Sequence, residues 1–420
     1  MNMKALLRGA SLFVGLVLFA VGGHANAQVG NIRVQCPGDN DGNATIDTID
    51  PLHPNAKCMH LAAGDGFINM ADGKLLYTFG FSDWTGTPAD DVPALGLLSS
   101  NFPAPTIMLD EGDEFYLTVT NVGMAMRPDL FDPHSVHFHG FPQAAPVFDG
   151  MPEGSFGINM MASLTYYYNL VEPGTYMFHC HVEATEHMQM GMLGNLYVRP
   201  IQNRRPNGTV LGTHVHSNPD WNANRWQDDP LVGDKYVYDD GDGSTRYDVE
   251  VPIQLTAMDG EFHDLHLAIQ PLPFAYMLDN YPMLNGRGYP DTINPAVLMN
   301  TADDPKPSQK VNSIIRAQPG QTILLRISSL SVTNYYTLAT AGLPMKVVGL
   351  NARHYRGPTG KNLYYDTHSV TLGGGESVDV LIDTTGIPAG TYPLYTTNLN
   401  FLNNDTQDLG GLMTEIVIAP

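Results

Sequence analysis

Basic residues are scarce in this chain: 21 Lys and Arg stand against 43 Asp and Glu in 420 residues, a formal net charge of −22. A surface of that sign repels nucleic acid and anionic membranes, and attracts cations, including metal ions or a basic redox protein. Long apolar runs are missing after the first 27 residues, so nothing in the remainder is suited to anchoring in a bilayer as a helix. Long helical periodicity is missing as well. Cysteine is nearly absent, with only Cys36, Cys58 and Cys180, so each thiol needs its own account.

Residues 1–27 are the exception to the lack of apolar runs. Lys4 and Arg8 precede an apolar stretch over 10–22, followed by Ala25-Asn26-Ala27. That order is that of a secretory signal peptide cleaved before Gln28, so the expected location is periplasmic or secreted. Cleavage removes two basic residues and no acid, taking the charge from −22 to −24. Cys36 and Cys58 lie among Pro, Gly, Asn and Asp, where an oxidising compartment favours a disulfide stapling a loop-rich segment. Cys180 is left over, and metal ligation accounts for it.

Gly and Pro are frequent, and Val, Thr, Tyr and Phe fall in short runs between turn signals, which predicts an all-β chain built from sandwiches. Residues 106–121 (TIMLDEGDEFYLTVTN) and 377–385 (SVDVLIDTT) are examples. The expected organisation is a loop-rich segment over 28–73, a first sandwich over 74–200, a linker over 201–246 rich in Asn, Asp, Gly and Pro, and a second sandwich over 247–420. The linker should run over the surface. The acidic turns DNDGN at 39–43 and DDGDG at 239–243 lack the full calcium-loop pattern and read as plain turns.

Two short motifs carry the chemistry: HSVHFHG at 134–140 and HCHVEATEHMQMGM at 179–192. Side chains alternate along a strand, so His179 and His181 point one way and Cys180 the other. His137 and His139 likewise share a face, with His134 on the opposite one. One group is therefore His134, Cys180 and His187 with Met192 as a long axial ligand, the thiolate–imidazole–thioether set that selects copper for electron transfer. Zinc is the competing metal for His and Cys, but the axial Met and the wide separation of the ligands favour copper. The other group is His137, His139, His179 and His181, four imidazoles suited to copper that handles a small oxidant. Cys180 joins the two groups covalently through His179 and His181.

These motifs resemble those of the multicopper oxidases, in particular the two-domain cupredoxin group related to laccase and copper nitrite reductase. HSVHFHG is similar to their H-x-x-H-x-H motif and residues 179–192 to their H-C-H, H and G-M motif. The resemblance extends from about Lys74 to the end and implies two cupredoxin-like Greek-key sandwiches, the second without evident copper ligands. It implies type 1 ligands at His134, Cys180, His187 and Met192. It also implies half of a type 2/type 3 cluster at His137, His139, His179 and His181, with Cys180, His179 and His181 as the catalytic link. A one-electron donor (small molecule, metal ion or basic redox protein), dioxygen as acceptor and a homo-oligomer, expected to be a trimer, complete what the resemblance implies.

The chain departs from that pattern in ways that keep other functions open. An oxygen-reducing cluster of this kind needs twice as many histidines, and the region expected to supply them holds only His263, His266, His354 and His368, with no H-x-H pair. The linker has one such pair, His214 and His216, in polar loop sequence. The ligand loop after Cys180 is longer than in most oxidases and adds Glu183 and Glu186, placed to receive a metal ion or basic partner. Nitrite reductases resemble one another in an aspartate where His137 stands and a neighbour's histidine where Thr397 stands. Asp132 and Asp149 flank the motifs as candidate proton donors. Met124, Met126, Met151, Met160, Met161, Met188 and Met190 surround the motifs, with core packing the commoner role of such residues. The alternatives to an oxidase are a blue-copper electron-transfer or copper-binding protein with an incomplete second site, and a nitrite reductase-like enzyme.

Overall fold

The computed structural model describes residues 31–219, 233–268, 271–301 and 305–420, so the leader expected over 1–27 lies outside the described residues. Eight strands build a first sandwich: β1 (Ala56–Asn69), β2 (Leu75–Asp83), β3 (Ile107–Asp110), β4 (Glu114–Gly123), β5 (His137–His139), β6 (Ser163–Asn169), β7 (Gly174–His179) and β8 (Leu193–Arg199). One sheet runs β2-β1-β4-β6 and the other β3-β8-β7-β5. In β4 every second residue, Phe115, Leu117 and Val119, is buried, the period expected of a strand with one face on a core. Those residues meet Phe138 and Phe178 from the opposite sheet, and Phe138 stacks at 4.0 Å on Tyr168 of β6, the strand beside β4.

The second sandwich repeats the scheme. Its larger sheet is centred on Val249–Met258, Thr322–Ser329, Ser377–Asp383 and Met345–Leu350; its smaller one runs Ile315–Ala317, Met413–Ile418, Gly390–Thr396, Tyr336–Thr340, Ser369–Leu372. Ile253, Leu325, Ile327, Leu338, Val380 and Ile416 form the core between them. The all-β expectation holds, and the described helices are short, the longest being Ala184–Met190 and Gly260–His266.

Two boundaries differ from the sequence reading. The first sandwich begins at Ala56 rather than near Lys74, because β1 pairs with both β2 and β4; its alternation is blurred by Gly64 and Gly66, where a Cβ would collide with Val122 and Ser100. The Cys36–Cys58 disulfide ties the preceding loops to this strand. The linker is not wholly a surface connection. Tyr236, Val237 and Tyr238 are buried and, with Tyr247 just past the linker, pack on Leu324, Val348 and Leu381 of the second sandwich.

The sandwiches meet through a polar face. Thr175 on β7 and Asn195 and Tyr197 on β8 point outward from the first core onto the second sandwich. There Arg326 donates to Thr175 at 3.0 Å and lies 5.2 Å over the Tyr197 ring, and Ser328 donates to Asn195 at 2.6 Å. Arg326, fully buried, also pairs with Glu250 at 2.6 Å, which Arg199 reaches from the first sandwich at 2.6 Å. Thr175, Met177 and His179 alternate along the same face of β7, so the interface continues toward the histidine motifs.

Candidate metal centre

Local chain geometry gathers His134, Cys180 and His187. β7 delivers Cys180 one residue past its end, and the helix Ala184–Met190 folds the chain back so that Met192 N–H donates to the His187 carbonyl at 2.8 Å and Cys180 N–H to the Met192 carbonyl at 3.0 Å. Gly191 makes this return possible: it sits at φ 116, a conformation suited to glycine, with a Cβ position only 2.8 Å from the Phe79 carbonyl. His134 is held by a two-way backbone bridge to Ile158, at 3.0 and 2.7 Å. The Cys180 Sγ then lies 3.2 Å from His187 Nδ1 and 4.0 Å from His134 Nδ1. All three residues and Met192 are fully buried.

Burial dominates the electrostatics. It pushes the Cys180 thiol up to about 12, pulls His134 down to about 3 and lowers His187 well below the usual imidazole range. Without metal the trio is neutral: a protonated thiol and two neutral imidazoles facing it. His134 Nε2 and His187 Nε2 are buried without a hydrogen-bond partner among the described residues, an arrangement that costs on the order of 1–3 kcal/mol per group. Two neutral imidazoles turning Nδ1 to a thiol in a dry pocket, closed by a buried thioether residue, fit a copper ion of the electron-transfer kind.

On the opposite face, His137 and His139 on β5 meet His179. The His137 ring centroid lies 5.3 Å from that of His179 and 5.1 Å from that of His181, and His139 Nδ1 is 3.3 Å from His179 Nε2. His137 Nδ1–H donates to the Asp149 carbonyl at 2.7 Å and His179 Nδ1–H to the Cys180 carbonyl at 2.9 Å, which leaves the lone pair of each ring on Nε2, in His179 the atom that faces His139. The donor atoms of His137, His139 and His179 lie within 4.8 Å of one another; His181 joins by ring contact only. Burial pulls His179 down to about 3, and His139 is lowered by burial and then by the neighbouring His137 and His181. Neutral imidazoles converging in this way fit copper too.

The remaining histidines go elsewhere. His214 pairs with Asp234 at 2.8 Å and His216 with Tyr236 at 3.0 Å, so the linker pair serves local packing. His354 bonds Tyr364 at 2.5 Å, and His368 is exposed on the second sandwich. His263 and His266 come to the other side of the buried trio, where Phe79 packs edge-on against both His187 and His266, at 5.7 and 4.8 Å. Glu186 is not presented to solvent: it is 8% exposed and bound to His266 Nε2 at 2.6 Å. Neither this pairing nor the packing of Gly375 on His139 was visible in the motifs, since both join residues far apart in sequence. Asp149 Oδ1 lies 3.3 Å from His137 Nδ1, while the Asp132 carboxyl is raised by burial and by Glu186. The carboxylates of Asp39, Asp41 and Asp47 also approach one another, and Asp39 caps its own turn by accepting from the Gly42, Asn43 and Ala44 amides.

Two family models described as multicopper oxidase match residues 85–203 and 278–415, and the chain belongs to the multicopper oxidase family, whose cofactor is copper. A laccase, abr2, of Aspergillus fumigatus is 34% identical over 122 residues, covering 29% of this chain and 19% of the laccase. The chain thus spans about a fifth of the length of that curated relative. A blue copper oxidase from Nitrosomonas europaea superposes with a TM-score of 0.59 at 20% identity, covering 86% of this chain and 85% of the other. A copper-containing nitrite reductase from Thermus scotoductus gives 0.51 at 15% identity, covering 86% and 61%. At such identities these likenesses show the fold alone, and that fold is the cupredoxin sandwich.

Proposed function

We propose that this protein is an exported copper-dependent oxidoreductase of the multicopper oxidase kind, taking single electrons from a reducing donor and reducing dioxygen. The observation that carries the reading is the back-to-back placement of two ligand groups on the tripeptide His179-Cys180-His181. In this reading His134, Cys180, His187 and Met192 hold one copper, and His137, His139, His179 and His181 belong to a second centre. When bound, copper supplies one-electron redox chemistry at the thiolate position and reduction of the oxidant at the histidine position. The chain's own part is positional. Cys180 links the groups by bonds shared with its two neighbours, the dry pocket keeps water from the thiolate, and Asp149 stands by His137 to hold a proton. Export is supported by residues 1–27 and by the disulfide, whose persistence suits an oxidising compartment.

The organisation we propose is a loop-rich segment followed by a copper-bearing and a copper-free sandwich, joined by the linker. None of the other histidines among the described residues reaches the four-histidine group, so a neighbouring copy, as in a homotrimer, is the proposed source of what completes it. The same shortfall favours one rival, an electron-transfer protein with an incomplete second site. Copper content per chain with electron paramagnetic resonance, together with oxygen uptake, decides. A blue centre with further coppers and oxygen consumption supports the oxidase; a blue centre alone makes the protein a carrier; one blue and one type 2 centre with nitrite turnover makes it a reductase.

A further inference from the structure

We infer that the turn Gly373-Gly374-Gly375 of the second sandwich positions His139, so that the sandwich without ligands governs copper loading of the four-histidine group by backbone contact. This rests on the reading of that group as a copper site. Gly375 has φ +87, and a Cβ built on it would fall 2.7 Å from His139 Nε2 and 2.9 Å from its Cε1. Only glycine brings backbone that close to the ring, and only glycine adopts that φ without strain. The turn cannot retreat. Gly375 N–H donates to the Ser329 carbonyl at 2.8 Å, Ser329 N–H donates to the Glu376 carbonyl at 2.9 Å, and Gly373 N–H donates to Glu376 Oε2 at 2.7 Å.

Each glycine answers a different neighbour. A Cβ on Gly373 would lie 2.4 Å from the Tyr335 ring and one on Gly374 2.3 Å from the Ser331 carbonyl, so the turn is packed against the second sandwich on its other sides. The His139 ring is therefore held between Gly375 on its Nε2 side and His179, 3.3 Å from its Nδ1. That contact selects Nδ1 as the atom His139 turns to the other histidines. Ligands tolerate displacements of only about 0.5 Å before a metal site loosens. A Cβ at residue 375 would have to part from the ring from 2.7 Å to at least the 3.4 Å of ordinary contact, more than that tolerance.

The test is copper titration into the metal-free full-length protein, comparing the parent with Gly375→Ala and Gly375→Asn. Asn is the residue after glycine most tolerant of positive φ, so Gly375→Asn isolates the contact from backbone strain and serves if Gly375→Ala does not fold. The expected result is that copper at the histidine group binds at least tenfold more weakly in both variants, while the blue centre at Cys180 forms as in the parent. In a His139→Ala background, Gly375→Asn should have no further effect. Unchanged affinity at the histidine group in a folded variant overturns the inference alone. A parent that binds copper at Cys180 and none at the histidine group overturns the copper reading of that group and this inference with it. In the metal-free parent, a nuclear Overhauser contact between the Gly375 α-protons and the His139 ring is expected, and its absence also overturns the inference.

Discussion

Cys180 and His179 are adjacent in sequence, yet their surroundings differ in kind. Cys180 points into the core of its own sandwich, where Phe262 of the helix Gly260–His266 joins the same buried cluster, and every ligand candidate there is fully buried. His179 points onto an outer face, where His137, His139 and His181 are only partly covered and where one wall comes from the second sandwich. The first group is assembled within one sandwich: a strand end, a short helix, the return through Gly191, and His134 held by its bridge to Ile158. The second depends on what is docked against the sheet.

The largest expected effect comes from Cys180→Ser. It should abolish the intense thiolate-to-copper absorption entirely, while copper still binds the four histidines, as read by metal analysis. The converse variant, His179→Ala, should leave the blue absorption and lower oxygen consumption by about a hundredfold or more, consistent with removing a group that acts only at the reaction centre. If either variant emptied both sites, the separation of the two faces would be broken.

Next is the docking of the sandwiches, on which the second group depends. Arg326→Met leaves buried Asp379, 3.6 Å from Arg326, without its cation and Glu250 with Arg199 alone, and should cost about 3–5 kcal/mol in chemical denaturation, with loss of copper from the histidine group before the blue centre. The same interface carries a pH signature. Burial alone would raise Glu250, but Arg326 and Arg199 hold its carboxyl at about 2, below its ordinary 4.5. Its folded-state value being depressed, its contribution is complete above pH 4.5 and is lost as pH falls toward 2. Denaturation curves should show stability dropping across that window, and less so in Glu250→Gln. The smallest effect is expected from His214→Ala: the imidazole is a third exposed, and Asp234 keeps Arg246 as a partner, so the loss should stay below about 1 kcal/mol with copper content unchanged.

Much of this was legible in the sequence where the determinants are local. Alternation in segments such as residues 114–119 shows strands, and the H-C-H spacing separates the two ligand groups, because a strand's period of two needs no knowledge of the rest of the fold. What escaped depends on distant partners. β1 was missed because Gly64 and Gly66, needed for close approach of Val122 and Ser100, dilute its pattern. The tyrosines at 236, 238 and 247 sit in polar sequence yet are buried on the second sandwich. Glu186, read as a surface acid, is turned inward by His266 of a helix 80 residues away. The Gly373–Gly375 run has no meaning until His139 is beside it.

The central claim is that one tripeptide serves two metal groups. Its most direct test is the copper count per chain of the purified, copper-loaded protein, with electron paramagnetic resonance to sort the centres. The account predicts one blue centre plus additional copper that disappears in His179→Ala and persists in Cys180→Ser. A single blue copper per chain, with nothing bound at the four histidines, would contradict it.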